Sequence, residues 1–409
     1  MQKYMLPNLQ WDGPEELEIS LPDAWDVDVC NIAGYDRPAL SDEQIDTVVR
    51  NPIGMKPLRD IARGKKNAVI LFDDLTRGTK PANIVPHILA ELAEAGIADE
   101  NIRFICALGA HAPLDRMSLV KKLGEDVVKK YAVYNHNPFD SCVHVGTTSY
   151  GTEVYVNAEY MQCDLKISVA SMVPHPFTVF GGGGKIILPG ICSMETMMAN
   201  HCIPMGGDER SDWDINTRRL DMEEAAALAG LDMLVECILN GWGQTCSLYA
   251  GALDDVRDAA AKEAKEHYLA KRVTDMDIII LNAYIKASEA GTAARIAQGA
   301  TAAQNADVVM IGNPAEGPVL HYLMGSWGKL PAEQYRKYKI NRPVSMVPKS
   351  TPEYRTINFS QYPVGVSKSR DSLFCDNWTD VLKLLTDSHS GKAKVALYPN
   401  ATIAYLGGF

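Results

Sequence analysis

The chain has 409 residues, with 51 acidic and 40 basic side chains, a formal net charge of −11 and a sequence pI near 5.4. This acidic balance argues against a nucleic-acid or anionic-membrane partner, because both favour clustered Lys and Arg. The length predicts two or three domains, while 46% hydrophobic and 22% charged residues indicate a globular protein and exclude a disordered one.

The first half of the chain predicts a parallel α/β unit. The apolar run 67–74 indicates a buried strand, the helical spacing of apolar residues over 84–92 indicates a helix, and 102–109 is the next buried strand. This strand–helix–strand order favours parallel pairing with a right-handed crossover. A third strand is expected over 164–171, followed by a glycine-rich loop and a methionine-rich helical stretch around 191–201.

The Ala-, Glu- and Lys-rich segment 254–272 predicts a connecting helix, since its acids come first and its bases last, complementing the helix dipole. A second α/β set follows, with strands over 277–284, 307–312 and 343–347, helices near 289–304 and 377–387, and two short strands around 399–400. We therefore predict two α/β domains with mainly parallel sheets, joined by a connecting helix. The proposed bounds are 1–253 with a returning 390–409, 254–274 for the connection, and 275–389.

The sequence also bears on location and on cysteine chemistry. No apolar run approaches the roughly 20 residues of a membrane span, and the N-terminal sequence MQKYMLPNLQWDG lacks the apolar core of a signal peptide. We expect a cytoplasmic protein with no membrane partner. The nine cysteines are an odd number without a Cys-x-x-Cys pair, so reduced thiols are favoured over a disulfide framework or a structural zinc site.

Three polar clusters directly follow three predicted strands of the first domain. They are Asp73-Asp74-Leu75-Thr76-Arg77, Gly109-Ala110-His111 and Pro174-His175-Pro176. In open parallel sheets ligands bind outside the carboxyl ends of the strands, so these loops are expected to face one crevice. A single histidine at a strand end is more often structural, but two of them beside an Asp-x-Thr-Arg sequence favour a functional site.

Four consecutive glycines precede Lys185 in a loop that matches neither common phosphate-binding pattern. A P-loop would need glycine at position 179 and Ser or Thr at 186, and a dinucleotide fingerprint would need glycine at 186. Such a loop can still approach a ligand closely, with N–H groups free to hold an anion, and Lys185 is suited to be a nucleophilic amine. His201, taken alone, is more often a helix-end cap than a ligand.

The string SMVPHPFTVFGGGGKIILPGICSMETMMANH, with DLTRGTK and ALGAHAP upstream, resembles the lactate racemase family. The resemblance covers most of the first domain and weakens in the second. It implies a nickel-pincer nucleotide attached covalently to Lys185, with His201 completing the nickel coordination. It further implies that His111 and His175 are the acid/base pair.

The same resemblance assigns the remaining first-domain contacts. Asp74 and Arg77 match the Asp and Arg of the family's Asp-x-Thr-Arg motif, which implies that they contact the substrate. The expected cofactor contacts, besides Lys185, are Asp74, Thr76, Gly182, Gly183 and Gly184.

The chemistry of a 2-hydroxy acid agrees with these assignments. Its α-C–H is very weakly acidic, so inverting that carbon by proton abstraction is difficult, whereas removing a hydride gives a planar 2-keto acid that can be reduced on either face. This route needs a hydride acceptor, a cation for the carboxylate and a base on each side of the carbinol carbon. Two histidines can exchange acid and base roles near neutral pH, and an arginine can bind a carboxylate through two parallel bonds.

The second domain departs from the family. Members that act on lactate carry a Tyr-Gln-x-x-Lys segment that helps to hold the substrate, whereas Ala290, Gly291 and Ala294 align there. Arg295 lies next to this segment and is the candidate to replace the lysine in substrate binding. Tyr335 is the candidate for an aromatic residue that stacks near the cofactor. We therefore expect a substrate other than lactate.

The leading hypothesis is a 2-hydroxy acid racemase or epimerase, an isomerase whose partners are the small-molecule acid and the cofactor maturation enzymes. One alternative uses the same cofactor to epimerise or oxidise a larger sugar acid. Another is a non-catalytic paralogue that binds a hydroxy acid or the cofactor as a sensor, although a sensor needs neither two bases nor a covalent lysine. An NAD dehydrogenase is disfavoured by the missing glycine fingerprint. The sequence does not predict the oligomeric state.

Overall fold

The computed structural model describes residues 1–293, 301–323, 355–362 and 372–407. Its strands are β1 Gln2–Pro7, β2 Glu16–Leu21, β3 Asp26–Val29, β4 Ala68–Phe72, β5 Ile102–Cys106, β6 Ala132–Asn135, β7 Cys142–Thr147, β8 Glu153–Asn157, β9 Leu165–Ser171, β10 Pro174–His175, β11 Val179–Phe180, β12 Met233–Leu239, β13 Thr245–Gly251, β14 Thr274–Asn282, β15 Thr301–Ile311, β16 Arg355–Phe359, β17 Ser372–Cys375 and β18 Lys394–Tyr398. Its α-helices are α1 Asp42–Arg50, α2 Leu58–Ile61, α3 Val85–Glu94, α4 Arg116–Leu123, α5 Glu125–Lys130, α6 Ala158–Met161, α7 Met194–His201, α8 Thr217–Ala229, α9 Leu253–His267 and α10 Trp378–Ser388.

The first large sheet has the strand order β13-β12-β9-β4-β5-β6. Its pairs are parallel except β12 with β13, which is antiparallel. Every residue of the central strand β4 is buried, as expected of a parallel strand covered on both faces. The predicted strand–helix–strand unit is confirmed as β4, α3 and β5, and the α/β class with mainly parallel sheets is confirmed with it.

The second large sheet has the order β17-β16-β15-β14-β18-β3, and all of its pairs are parallel. Two strands of this sheet come from the ranges that the sequence analysis assigns to the first domain. The sequence groups 1–253 and 390–409 together, but β3 and β18 both lie in this second sheet, because the apolar residues of β18 pair beside the buried strand β14. After β18 the chain returns to the first domain, where the ring of Tyr405 lies 5.4 Å from that of Phe180.

Other predicted elements can be compared directly. The predicted connecting helix is α9, which packs on the first sheet through a stripe that includes Val256, Ala260 and Ala264. The helix predicted near 289–304 is wrong at its end, because β15 already begins at Thr301. A 3-10 segment covers Ala287–Thr292, and the strand predicted over 343–347 lies outside the described residues. The last predicted helix is confirmed as α10.

The structure can be compared with the expectation of reduced thiols and with that of no membrane span. All nine thiols are free, and all except those of Cys142 and Cys202 are buried. Within the ranges that the structure describes, no helix combines the length and apolarity needed to cross a membrane.

Candidate active site

The loops after β4 and β5 meet at the side chains of Asp74 and His111. Nδ1 of His111 lies 2.5 Å from Oδ2 of Asp74, while Oδ1 of Asp74 accepts the N–H of Thr76 at 3.0 Å and its hydroxyl at 2.5 Å. Burial raises the pKa of Asp74, but the charges of His111 and Arg77 outweigh it and hold that pKa well below its usual range. The ionised carboxylate therefore keeps a proton on Nδ1 of His111 and leaves Nε2 for the crevice.

A glutamate from the second domain joins this pair. Nη1 of Arg77 donates to Oε2 of Glu289 at 2.9 Å, and Nε2 of His111 lies 3.5 Å from Oε1 of the same carboxylate. Burial lowers the pKa of His111, but the carboxylates of Asp74 and Glu289 outweigh it and raise that pKa above its ordinary value. His111 therefore lies between two carboxylates and favours its protonated form.

His175 lies at the end of the loop after β9 and has the opposite electrostatic environment. Its Nδ1 lies 3.2 Å from the backbone nitrogen of Phe177 and 3.1 Å from the hydroxyl of Thr178. Burial and the charge of Lys185 lower the pKa of His175 well below its ordinary value. The two candidate acid/base histidines, His111 and His175, thus favour opposite protonation states.

The four-glycine loop is held by buried carboxylates. The N–H of Gly183 donates to Glu236 at 3.0 Å, and the N–H of Gly184 donates to Glu223 at 2.9 Å. The expectation that these N–H groups are free for an anion is therefore wrong for both glycines. A Cβ at Gly184 would lie 2.6 Å from a backbone oxygen of α8, so glycine is needed here for close packing on that helix.

Lys185 extends from the end of this loop into the crevice and is partly exposed. Its Nζ donates no hydrogen bond to any residue within the described ranges. Desolvation, together with the charges of Arg77 and Arg219, lowers the pKa of Lys185 well below its ordinary value. Such an amine is neutral more often than a solvated lysine and is correspondingly nucleophilic.

His201 ends α7 and is oriented by its own helix. Its Nδ1 donates to the carbonyl oxygen of Met197 at 2.8 Å, which leaves the lone pair of Nε2 for a ligand. Burial and the charge of Lys185 lower the pKa of His201 to about 4, so the imidazole is neutral. Lys185 and His201 are thus in the states that covalent attachment of a cofactor and metal ligation require, and the residues present fit the group that the resemblance implies.

Sequence reasoning named Arg295 and Tyr335 as second-domain candidates but missed Glu289, Lys286 and His321. Besides the glutamate described above, Lys286 and His321 line the same crevice. Nζ of Lys286 donates to the carbonyl oxygen of Pro174 at 2.9 Å, and burial with the charge of Arg77 lowers its pKa to about 7. The ring of His321 lies 4.9 Å from that of His111. Lys286 and Glu289 could have been found from the sequence, because they follow the strand predicted over 277–284 and ligands bind at the carboxyl ends of parallel strands.

The structure brings together the first-domain candidates Asp74, Thr76, Arg77, His111, His175, Lys185 and His201. The second-domain candidates Arg295 and Tyr335 lie outside the described residues. Ala290 and Gly291 belong to the 3-10 segment that also carries Glu289.

A buried ion pair supports the loop that carries Arg77. Nζ of Lys122 donates to Asp73 at 2.6 Å and to the carbonyl oxygen of Thr79 at 2.8 Å. Replacing Lys122 by Met should lower the free energy of unfolding by about 3–5 kcal/mol, because it leaves a buried carboxylate unpaired. Urea denaturation followed by circular dichroism measures this loss. The adjacent Lys121→Met variant breaks a more exposed pair and should cost about 1 kcal/mol or less; equal losses in both variants would contradict the argument.

Comparison with known sequences finds similarity to lactate racemases over the region that contains these first-domain residues. The model of the lactate racemase N-terminal domain matches residues 13–214. A lactate racemase from Lactiplantibacillus plantarum is 32% identical over 243 residues, which cover 58% of this chain and 57% of that protein. A lactate racemase from Thermoanaerobacterium thermosaccharolyticum is 29% identical over 246 residues, which cover 58% of each chain. The matched region thus spans less than two thirds of either relative.

Solved structures extend the likeness of the fold to the second domain. The lactate racemase apoprotein from Thermoanaerobacterium thermosaccharolyticum superposes with a TM-score of 0.72 at 20% identity, covering 99% of this chain and all of that one. A protein from Thermotoga maritima superposes with a TM-score of 0.67 at 15% identity, covering 90% of this chain and 99% of that one. Residues 13–214 therefore belong to the lactate racemase N-terminal domain family, and the whole chain shares the fold of a solved lactate racemase.

Proposed function

We propose that the protein is a 2-hydroxy acid racemase or epimerase that inverts C2 by reversible hydride transfer, using a nickel-pincer nucleotide. The observation that carries this proposal is the crevice itself. It combines a carboxylate-bound His111, a neutral His175, the guanidinium of Arg77 and the amine of Lys185, which donates no hydrogen bond to a described residue. The sequence relatives named lactate racemase support the same class of reaction.

The residues that would hold the cofactor are Lys185, by a covalent bond, and His201, through Nε2 to the nickel. When bound, the nucleotide supplies the acceptor for the substrate's hydride. Arg77 is the group suited to the substrate carboxylate, since a guanidinium can bind it through two parallel bonds. Thr76 keeps that guanidinium in place, because its hydroxyl oxygen accepts from Nη1 of Arg77 at 2.7 Å.

The two histidines move the proton of the substrate hydroxyl. Neutral His175 accepts this proton as the C2 hydride leaves and the C2–O bond becomes a carbonyl. Protonated His111 donates a proton to the carbonyl oxygen when the hydride returns on the other face of the planar keto acid. This turnover leaves His175 protonated and His111 neutral, which is the state that inverts the opposite enantiomer, with His111 as the base and His175 as the acid. Asp74 orients His111 throughout and stabilises its imidazolium form.

The substrate is proposed to be an acid other than lactate. Ala290, Gly291 and Ala294 have no polar side chain, whereas lactate-active relatives are expected to have Tyr, Gln and Lys at these positions. Each missing charged contact should cost about 1.5–3 kcal/mol of binding, which a longer acid can recover through added contacts. A larger sugar acid is the second candidate, favoured by the same small side chains.

A substrate panel tests this assignment. Enzyme from cells that make the cofactor is assayed for racemisation or epimerisation of lactate, malate, longer aliphatic and aromatic 2-hydroxy acids, and sugar acids. We expect kcat/KM for at least one longer acid to exceed that for lactate. The highest kcat/KM with lactate would overturn the substrate assignment. No isomerisation of any acid by enzyme with bound cofactor would overturn the proposed function.

A further inference from the structure

Glu289 makes the contacts that the proposed function assigns to the substrate. One of its carboxylate oxygens accepts from Nη1 of Arg77 at 2.9 Å, and the other lies 3.5 Å from Nε2 of His111. A bound 2-hydroxy acid would need its carboxylate on that arginine and its hydroxyl near that histidine. Glu289 therefore lies at the place where the acid has to bind.

We propose that Glu289 is an internal carboxylate that occupies the substrate's anion position in the unliganded protein and is displaced when a 2-hydroxy acid binds. The inference rests on the proposed function, because it takes Arg77 as the group that receives the substrate carboxylate. It makes Glu289 a residue that sets the affinity and selectivity of the crevice. Arg77 remains held by the hydroxyl of Thr76 after Glu289 has left.

Charge explains why both carboxylates do not remain together. Asp74 already supplies one buried negative charge against His111, and Glu289 supplies a second. The carboxylate of a substrate bound to Arg77 would be the third, and it would lie within a few ångströms of Glu289. Like charges at that distance in a partly buried site repel strongly. The incoming acid therefore has to replace Glu289 at Arg77.

The position of Glu289 in the fold is suited to such a movement. It lies in the 3-10 segment Ala287–Thr292 directly after β14, and its backbone, with φ −117° and ψ 39°, interrupts the helical geometry there. Its side chain is 18% exposed, so the carboxylate can reach water at the mouth of the crevice. A rotation of this side chain uncovers Arg77 without unfolding either sheet.

The cost of displacement appears as a lower apparent affinity. A ligand that binds only the state with Glu289 withdrawn has its dissociation constant multiplied by the reciprocal of that state's population. If Glu289 is withdrawn in about one tenth of molecules, its removal should tighten carboxylate binding about tenfold. The effect should extend to any small carboxylate, because it is the carboxylate that Glu289 imitates.

Titration of the full chain with glycolate and with acetate, followed by NMR, tests the inference without cofactor. Glu289→Gln keeps the size of the side chain and one acceptor oxygen but removes its charge. We expect it to lower the dissociation constants for both probes about tenfold, and Glu289→Asp to give an intermediate value. Glu289→Gln with Arg77→Gln should lose the gain. Unchanged or weaker binding in Glu289→Gln, or no binding in either protein, would overturn the inference.

A matched control separates displacement from a general change in charge. Among the described residues Glu316 forms its ion pair with Lys121 and not with Arg77, so Glu316→Gln removes the same charge and should leave both dissociation constants unchanged. Thermal unfolding of each variant monitors the fold. Racemisation by cofactor-loaded wild-type enzyme is measured separately. If the wild-type enzyme isomerises an acid but Glu289→Gln does not bind the probes more tightly, only the inference is overturned. If Glu289→Gln binds the probes more tightly but the wild-type enzyme isomerises no acid, only the proposed function is overturned.

Discussion

Replacing Lys185 by alanine should abolish both the covalent adduct and the bound nickel. Lys185 is suited to form the covalent bond because desolvation and neighbouring cations lower the pKa of its amine, and no described residue accepts a hydrogen bond from it. Intact-mass spectrometry and metal analysis of protein from cells that make the cofactor measure the two losses directly. Retention of the added mass in Lys185→Ala would show that another residue carries the adduct.

Lys286 provides the matched control for this experiment. It is a second buried amine of the crevice, with a pKa lowered to about 7, but its Nζ donates to the carbonyl oxygen of Pro174. Lys286→Met should therefore keep the added mass. His201→Ala should keep the adduct as well but hold less nickel, because one ligand of the metal has been removed. Together the three variants distinguish attachment from ligation.

Replacing His111 or His175 by alanine should lower turnover about 10²–10⁴-fold in both directions, as is typical when an acid/base group is lost. Cofactor content should persist, because neither residue is an expected attachment point. Chiral chromatography of the product from each pure enantiomer measures the two directions. The control variant His87→Ala, which removes a largely buried histidine that contacts Asp42 and Asp46, should turn over normally. Normal turnover in either site variant would remove that residue from the mechanism.

The opposite pKa shifts of the two histidines predict a pH dependence. Activity should fall at low pH when His175 becomes protonated, and this limb should lie below the ordinary pKa of histidine. Activity should also fall at high pH when His111 loses its proton, and this limb should lie above the ordinary pKa of histidine. Asp74→Asn removes the carboxylate that raises the pKa of His111, so the high-pH limb should move to lower pH. A limb that stays in place in this variant would assign the alkaline transition to a different group.

Much of the first domain could be predicted because its signals are local. Continuous apolar runs such as 67–74 predict buried parallel strands, and the strand-end rule then brought Asp74, Arg77 and His111 to one edge of the sheet. The same rule, not applied to the strand after α9, would have identified Lys286. Prediction was poorer where distant residues decide the structure, as in the glycine loop, whose N–H groups are taken by carboxylates of α8 and β12.

The order of strands in the second sheet has a consequence for how the protein is made. β3 is translated early, yet its partner is β18, and nearly the whole chain lies between the two. The strands of the first sheet all lie between Ala68 and Gly251, so that sheet can form while synthesis continues. β3 has to wait without its sheet partner until residue 398 has been added, and closing so long a loop makes this step slow. The half of the molecule that carries Lys185 is therefore expected to fold before the half that carries Glu289 closes the crevice over it.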